Sequence, residues 1–121
     1  GHKIAVLDNL STGKQEHIPD TVEFIHGDLR QLEDVARAVK GVTAVVHLAA
    51  RTSVQASIEN PYQSFDNNVN GTEILLNTLR KNGFKGKFIY ASSASVYGEP
   101  MGDAPLVELD ADRPYRFLDM H

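Results

Sequence analysis

Short apolar runs alternate along the chain with stretches in which apolar residues recur at helical spacing. The runs at residues 4–7, 22–25, 44–48 and 87–91 are rich in Val, Ile and Phe. Nearly unbroken apolar runs of this length are typical of strands that are buried on both faces of a parallel sheet. The sequence therefore predicts four parallel strands.

Helical signals separate these strands. Leu32, Val35 and Val39 share one helix face up to Gly41, and Asp28 with Gln31 resembles a capping box. A longer helix is predicted from the cap Asn60 to residue 83, with loops at 51–59 and 98–112. This alternation predicts an α/β fold in which crossover helices join the strands of a doubly wound parallel sheet.

Composition narrows the possible functions. The 121 residues fit one domain, residues 1–121, and the net charge of −4 with no basic stripe argues against nucleic-acid binding. No apolar run approaches the ~20 residues of a membrane helix, so no membrane association is expected. Cysteine is absent, which fits a reducing compartment, and the five histidines have no metal-ligand spacing. We therefore predict no metal site.

Each predicted strand ends in polar or small residues, where ligands of open α/β sheets bind. Asp8 can accept hydrogen bonds from both ribose hydroxyls of an adenosine and would repel a 2′-phosphate, which favours NAD over NADP. Asp28 is either an adenine-edge contact or a helix cap. Ala49 and Ala50 either admit a ligand or simply pack, and Ser93 is either a ligand contact or a turn residue. Asp8 also has an alternative role as a turn former.

Three asparagines lie in the middle of the predicted long helix. Asn67, Asn68 and Asn70 precede Gly71, although Asn is a poor residue for a helix interior. One or two of them fit a solvated surface, whereas all three together indicate a helix that lies close to a ligand. His47, within an apolar strand, is predicted to be a core histidine with a hydrogen-bond partner.

Together these stretches resemble the extended short-chain dehydrogenase/reductase family, specifically its NAD-dependent epimerase/dehydratase group, and they look closest to the UDP-hexose 4-epimerases. They occur in family order and at family spacing over nearly the whole chain. The matching stretches are residues 6–13 (VLDNLSTG), 27–29 (GDL), 46–50 (VHLAA), 57–61 (SIENP), 67–72 (NNVNGT) and 91–100 (ASSASVYGEP).

The resemblance implies a partial Rossmann domain and an NAD site. The family's first strand and its G-x-x-G-x-x-G turn are expected to be missing, because the chain begins just after that unit. By resemblance, the loop after the first strand holds the adenosine ribose and its phosphate, the second strand end flanks adenine, and the third lines the pyrophosphate and nicotinamide ribose. The implied cofactor-binding residues are Asp8, Asn9, Leu10, Ser11, Thr12, Gly13, Asp28, Leu29, Leu48, Ala49, Ala50, Arg51, Thr52 and Asn67.

The implied catalytic residues are Ser93, which would hydrogen-bond the sugar hydroxyl being oxidised, and Tyr115. In the family a Tyr serves as general base, and a Lys four residues later lowers its pKa; here that position is Asp119. A second alignment, which fits the Ser93 spacing better, assigns Leu118 to the tyrosine position. Either way the Tyr–Lys pair is broken, and a Tyr with its ordinary pKa near ~10 is a poor base at neutral pH.

The family chemistry implied is hydride abstraction from C4 of a UDP-sugar to NAD and its return to the other face. Family 4,6-dehydratases carry an Asp-Glu pair where this chain has Ala94-Ser95, which favours an epimerase. The expected protein is a cytoplasmic isomerase of carbohydrate metabolism, homodimeric at full length, and this chain is an inactive portion of it. The alternatives are a non-catalytic nucleotide-binding or interaction module and a dehydratase or reductase of the same family. A methyltransferase-like relative is disfavoured by the stretch at residues 92–98.

Overall fold

A computed structural model describes residues 1–97, 102, 103, 105 and 107. The chain divides into two compact units, Gly1–Ile89 and Tyr90–His121. The prediction of one domain over residues 1–121 stays a prediction.

All four predicted strands are present, each displaced by at most one residue from its predicted bounds. They are β1 (Ala5–Asp8), β2 (Glu23–His26), β3 (Ala44–His47) and β4 (Lys87–Tyr90). Strands β1 and β2 are parallel, and Asp8 lies opposite His26. Within the described part of the chain, β1 pairs with β2 and β3 pairs with β4, as two separate two-stranded sheets. The predicted α/β architecture with parallel strands is confirmed.

The helices are α1 (Leu32–Ala38), α2 (Val54–Glu59), α3 (Pro61–Phe65) and α4 (Gly71–Lys81), with short 3₁₀ turns at Gln15–His17 and Ala94–Tyr97. They differ from the prediction in two places. The region predicted as a loop at 51–59 contains α2, because the Ser53 hydroxyl accepts a hydrogen bond from Ala56 N at 3.2 Å and caps it. The predicted long helix is interrupted by a π-helical turn, Asp66–Asn70, between α3 and α4.

The start of α3 and the end of α4 are capped at the residues that the sequence predicts. Asn60 caps α3 by accepting Gln63 N at 3.2 Å, as predicted. After α4, Gly83 has φ +68°, and Phe84 N donates to Leu79 O while Gly83 N donates to Arg80 O. These two bonds form a Schellman motif, which satisfies the last carbonyls of the helix.

The core lies between α1 and α4. Val35 is fully buried, and Val39, Leu75 and Leu79 are buried beside it. Leu7, Leu29, Val45 and Phe88 pack against this cluster from the strands and their loops. The hydrophobic contact between the two helices therefore fixes the strand ends that each helix follows or precedes.

Gly86 allows the beginnings of β3 and β4 to approach each other. A Cβ built on Gly86 would lie 1.9 Å from Thr43 O, a backbone atom that cannot yield without moving the strand. Gly41 has φ +72° but open space around it.

We expect Gly86→Ala to lower the free energy of unfolding by about 2–3 kcal/mol, in the range of overpacked sites. Gly41→Ala, the control, meets only the left-handed backbone cost of about 1–2 kcal/mol. Urea unfolding followed by circular dichroism measures both. If both variants lost the same free energy of unfolding, the close approach of Gly86 to Thr43 would add no cost of its own.

Candidate functional site

Three strand ends of the first unit meet around one cleft of about 180 Å³. The cleft gathers the loops after β1, β2 and β3 together with one residue of the π-helical turn. Its lining residues are Leu7, Asp8, Asn9, Ser11, Thr12, Gly27, Asp28, Leu29, Leu48, Ala49, Ala50, Arg51 and Asn67.

Most of the residues predicted for a cofactor line this cleft. Leu10, Gly13 and Thr52 are the predicted residues that do not line it, and Leu7 and Gly27 line it without having been predicted. A larger depression of about 530 Å³ lies near Gln15–His17, in the later part of the connection from β1 to β2, and it includes none of the residues that directly follow a strand. The smaller cleft is therefore the candidate site.

Asp8 has one carboxylate oxygen available to a ligand. Its Oδ1 accepts Leu10 N at 2.7 Å, while Oδ2 accepts no hydrogen bond from the described residues. Leu10 has φ +56°, a left-handed conformation that is uncommon for a bulky side chain, and it turns its N–H back onto Asp8. Asp8 is thus a turn residue and a free acceptor at the same time; the two roles are compatible.

Asp28 does not cap α1, so the predicted capping box is wrong. Gln31 stands at the N-cap position and makes no side-chain cap bond. The Asp34 carboxylate instead accepts Asp28 N at 2.9 Å. Gly27 permits this, because a Cβ there would lie 2.7 Å from the Asp34 carboxyl carbon.

The Asp28 carboxylate is instead bound by Arg30 and Asn9. Arg30 Nη2 lies 2.8 Å from Asp28 Oδ2, and Arg30 Nη1 lies 3.1 Å from Asp66 Oδ2 in the π-helical turn. Asn9 Nδ2 donates to Asp28 Oδ2 at 2.9 Å. The hydrogen bonds from Arg30 hold the pKa of Asp28 far below its ordinary value, so this carboxylate is ionised at neutral pH.

The three asparagines have separate functions. Asn67 lines the cleft. Asn68 accepts Arg51 N at 2.8 Å and donates to Arg51 O at 3.0 Å, which anchors the loop after β3. Asn70 donates to Asp66 at 3.1 Å within its own turn. The expected ligand-facing helix is therefore one that turns Asn67 toward the cleft and uses Asn68 to shape it.

His47 is a buried, hydrogen-bonded core residue, as predicted. Its Nε2 lies 2.8 Å from Thr72 Oγ1, and Thr72 Oγ1 donates to Asn68 O at 2.7 Å. Because the hydroxyl has one proton and gives it to Asn68, His47 must donate from Nε2. Burial lowers the pKa of His47. Sequence reasoning missed Thr72 and Asp66, because a contact between distant elements leaves no local pattern. It also missed Arg30, although Arg30 bonds Asp28 only two positions away.

Neither predicted catalytic residue belongs to the first unit. Ser93 belongs to the second unit, where its Oγ accepts Ser95 N at 3.2 Å in a turn. Tyr115 and the alternative Leu118 lie outside the described residues, as does most of the loop predicted at 98–112.

No helix among the described residues is long and apolar enough to cross a bilayer. No three His, Asp or Glu side chains among these residues are grouped as metal ligands.

Comparison with known proteins adds the context of the whole molecule. The profile of the NAD dependent epimerase/dehydratase family matches residues 1–118. A UDP-glucose 4-epimerase of Streptomyces lividans is 36% identical in an alignment of 117 residues that covers 94% of this chain and 35% of that protein.

Two solved structures are similar. The Thermus thermophilus UDP-glucose 4-epimerase in complex with NAD has a TM-score of 0.76 and 42% identity, over 84% of this chain and 34% of that one. The Thermotoga maritima UDP-glucose 4-epimerase with UDP-glucose has a TM-score of 0.79 and 33% identity, over 91% of this chain and 36% of that one. The chain thus spans about a third of the length of these relatives.

The lowered pKa of His47 predicts a pH-dependent stability. As pH falls below ~6.5, the unfolded chain takes up a proton before the folded chain does, so the free energy of unfolding decreases by at most about 1.4 kcal/mol per pH unit. His47→Gln should flatten this part of the curve. His17→Gln, at an exposed residue beside Glu16, serves as the control and should keep the wild-type slope. Thermal melts between pH 7.5 and 5 measure the effect, and identical slopes for the two variants would contradict it.

Proposed function

The chain belongs to the NAD-dependent epimerase/dehydratase family, and we propose that it is the NAD-binding portion of a nucleotide-sugar 4-epimerase. The observation that carries the proposal is the cleft at three strand ends, which combines the free Asp8 carboxylate oxygen with two small residues, Ala49 and Ala50. The proposed substrate is a UDP-hexose, in keeping with the similar protein whose structure contains UDP-glucose. The proposed parent is a cytoplasmic homodimer.

The cleft residues fit a dinucleotide in chemistry. Asp8 Oδ2 would accept the ribose hydroxyls of adenosine, and Asp28 with Leu29 would flank the adenine. The loop from Asn9 to Gly13 would hold the adenosine phosphate. The exposed residues Leu48, Ala49 and Ala50, together with Arg51, Thr52 and Asn67, would line the pyrophosphate and nicotinamide ribose.

The proposed reaction assigns catalytic functions to Ser93 and Tyr115. Bound NAD would supply the acceptor and donor of hydride at the sugar C4. Ser93 would hydrogen-bond the hydroxyl that loses its proton, and Tyr115 is the candidate base. Ala94 and Ser95, in place of the Asp-Glu pair of 4,6-dehydratases, support epimerisation over elimination.

The chain by itself is proposed to be inactive. A cleft of about 180 Å³ is smaller than the ~300 Å³ at which small-molecule pockets begin, so it can enclose only part of a dinucleotide. The sequence contains no G-x-x-G-x-x-G turn to bind the pyrophosphate and no Lys four residues after Tyr115. A non-catalytic nucleotide-binding module is the alternative.

Titration of the ¹⁵N-labelled chain with NAD tests the site. We expect millimolar binding, about −4 kcal/mol, with amide shifts confined to Asp8, Asn9, Asp28, Leu29 and the cleft residues after β3. Shifts elsewhere, or none, would refute the site.

The same chain should not interconvert UDP-glucose and UDP-galactose. Turnover, or NAD that copurifies at one equivalent, would refute the proposal that the chain by itself is inactive.

Asp8 should set the preference for an unphosphorylated ribose. We expect AMP to bind about fivefold more tightly than adenosine 2′,5′-bisphosphate, because the Asp8 carboxylate repels a 2′-phosphate. Asp8→Asn should bring the two affinities to within a factor of two. Asp20→Asn, an exposed carboxylate outside the cleft, is the charge-matched control and should keep the wild-type ratio. An unchanged ratio in Asp8→Asn would assign the preference to another group.

A further inference from the structure

Three of the four hydrogen bonds to the Asp28 carboxylate come from Arg30. Arg30 N and Nε donate to Oδ1, each at 2.9 Å, and Nη2 donates to Oδ2 at 2.8 Å. The fourth comes from Asn9 Nδ2, at 2.9 Å to Oδ2. An ionised carboxylate has about four acceptor positions, so all of them are filled.

Arg30 is itself fixed. Its Nη1 lies 3.1 Å from Asp66 Oδ2, so the planar guanidinium is held between two carboxylates on different elements. Its side chain is 35% exposed and that of Asp28 is 19% exposed. A fork of donors held in this way fixes the plane of the carboxylate it binds, which a flexible ammonium would not do.

Only one of the four positions on Asp28 can be exchanged. Asp28 and Asn9 line the cleft, whereas Arg30 does not. A ligand in the cleft can therefore replace the Asn9 amide on Oδ2 and leave the three bonds from Arg30 intact. The amide is an N–H donor, so its replacement must also be a donor.

We infer that Arg30 is a positioning residue for purine recognition: it holds Asp28 so that Oδ2 accepts the exocyclic amine of an adenine in place of Asn9. The inference rests on the proposed function, because it concerns the adenosine end of the same site. The contact of Asp28 with the adenine belongs to that proposed function; the inference adds Arg30, the residue that acts through Asp28.

The test compares AMP with purine riboside 5′-monophosphate, which lacks the amine, by amide-shift titration of the whole chain. The wild type should bind AMP about tenfold more tightly, the effect of one hydrogen bond to a charged group. Arg30→Gln should reduce this ratio to about twofold, through weaker AMP binding. Arg80→Gln removes the same charge from an exposed site on α4, where Arg80 bonds Asn77, and should keep the tenfold ratio.

A purely structural function for Arg30 predicts a different result. Arg30→Gln would then weaken both nucleotides equally and leave their ratio unchanged, which would overturn the inference while the proposed site stands. If Arg30→Gln does not fold, Arg30→Lys decides: it keeps the charge without the fork, so its ratio should also fall, and an unchanged ratio overturns the inference. Equal binding of both nucleotides by the wild type overturns it as well. Binding of neither by the wild type overturns the proposed function too.

Discussion

The π-helical turn at Asp66–Asn70 connects the loops that follow two strands of different sheets. From this turn, Asp66 binds Arg30 after β2, and Asn68 binds both backbone groups of Arg51 after β3. A regular α-helix turns each successive side chain by a fixed angle, whereas a π-helical turn inserts a residue and shifts that angle. The interruption between α3 and α4 thus lets one short segment hold two loops and still present Asn67 to the cleft.

Burial and electrostatics cooperate at this turn. The core between α1 and α4 brings Gly71 close to the loop after β2, where a Cβ on Gly71 would lie 3.1 Å from Leu29 Cβ. That approach places Asp66 within reach of Arg30. Two further hydrogen bonds, from His47 to Thr72 and from Thr72 to Asn68 O, join β3 to α4 inside the protein. Polar groups without a hydrogen-bond partner would be costly there.

The cleft is organised more completely at the end proposed to bind adenosine than elsewhere. Asp8, Asn9 and Asp28 are held by turns or by an ion-pair network, and one carboxylate oxygen of Asp8 stays available. Residues 48–50 are exposed and lie beside an open cleft. This difference agrees with the proposal that the cleft encloses only part of a dinucleotide.

The amino-acid sequence by itself determined the strands, the caps at Asn60 and Gly83, the buried His47 and the strand ends that meet at the cleft. These depend on local periodicity, on backbone preference and on the rule that parallel strands end at one edge. Two local patterns misled: the spacing of Asp28 and Gln31 imitated a capping box, and the polar stretch at 51–59 contained a helix. Only the tertiary structure decided that Asn9 bonds Asp28, that Asp66 bonds Arg30 and that Asn68 bonds Arg51. Those contacts join residues that are 17 to 36 positions apart, and no local pattern encodes which distant side chain completes a hydrogen bond.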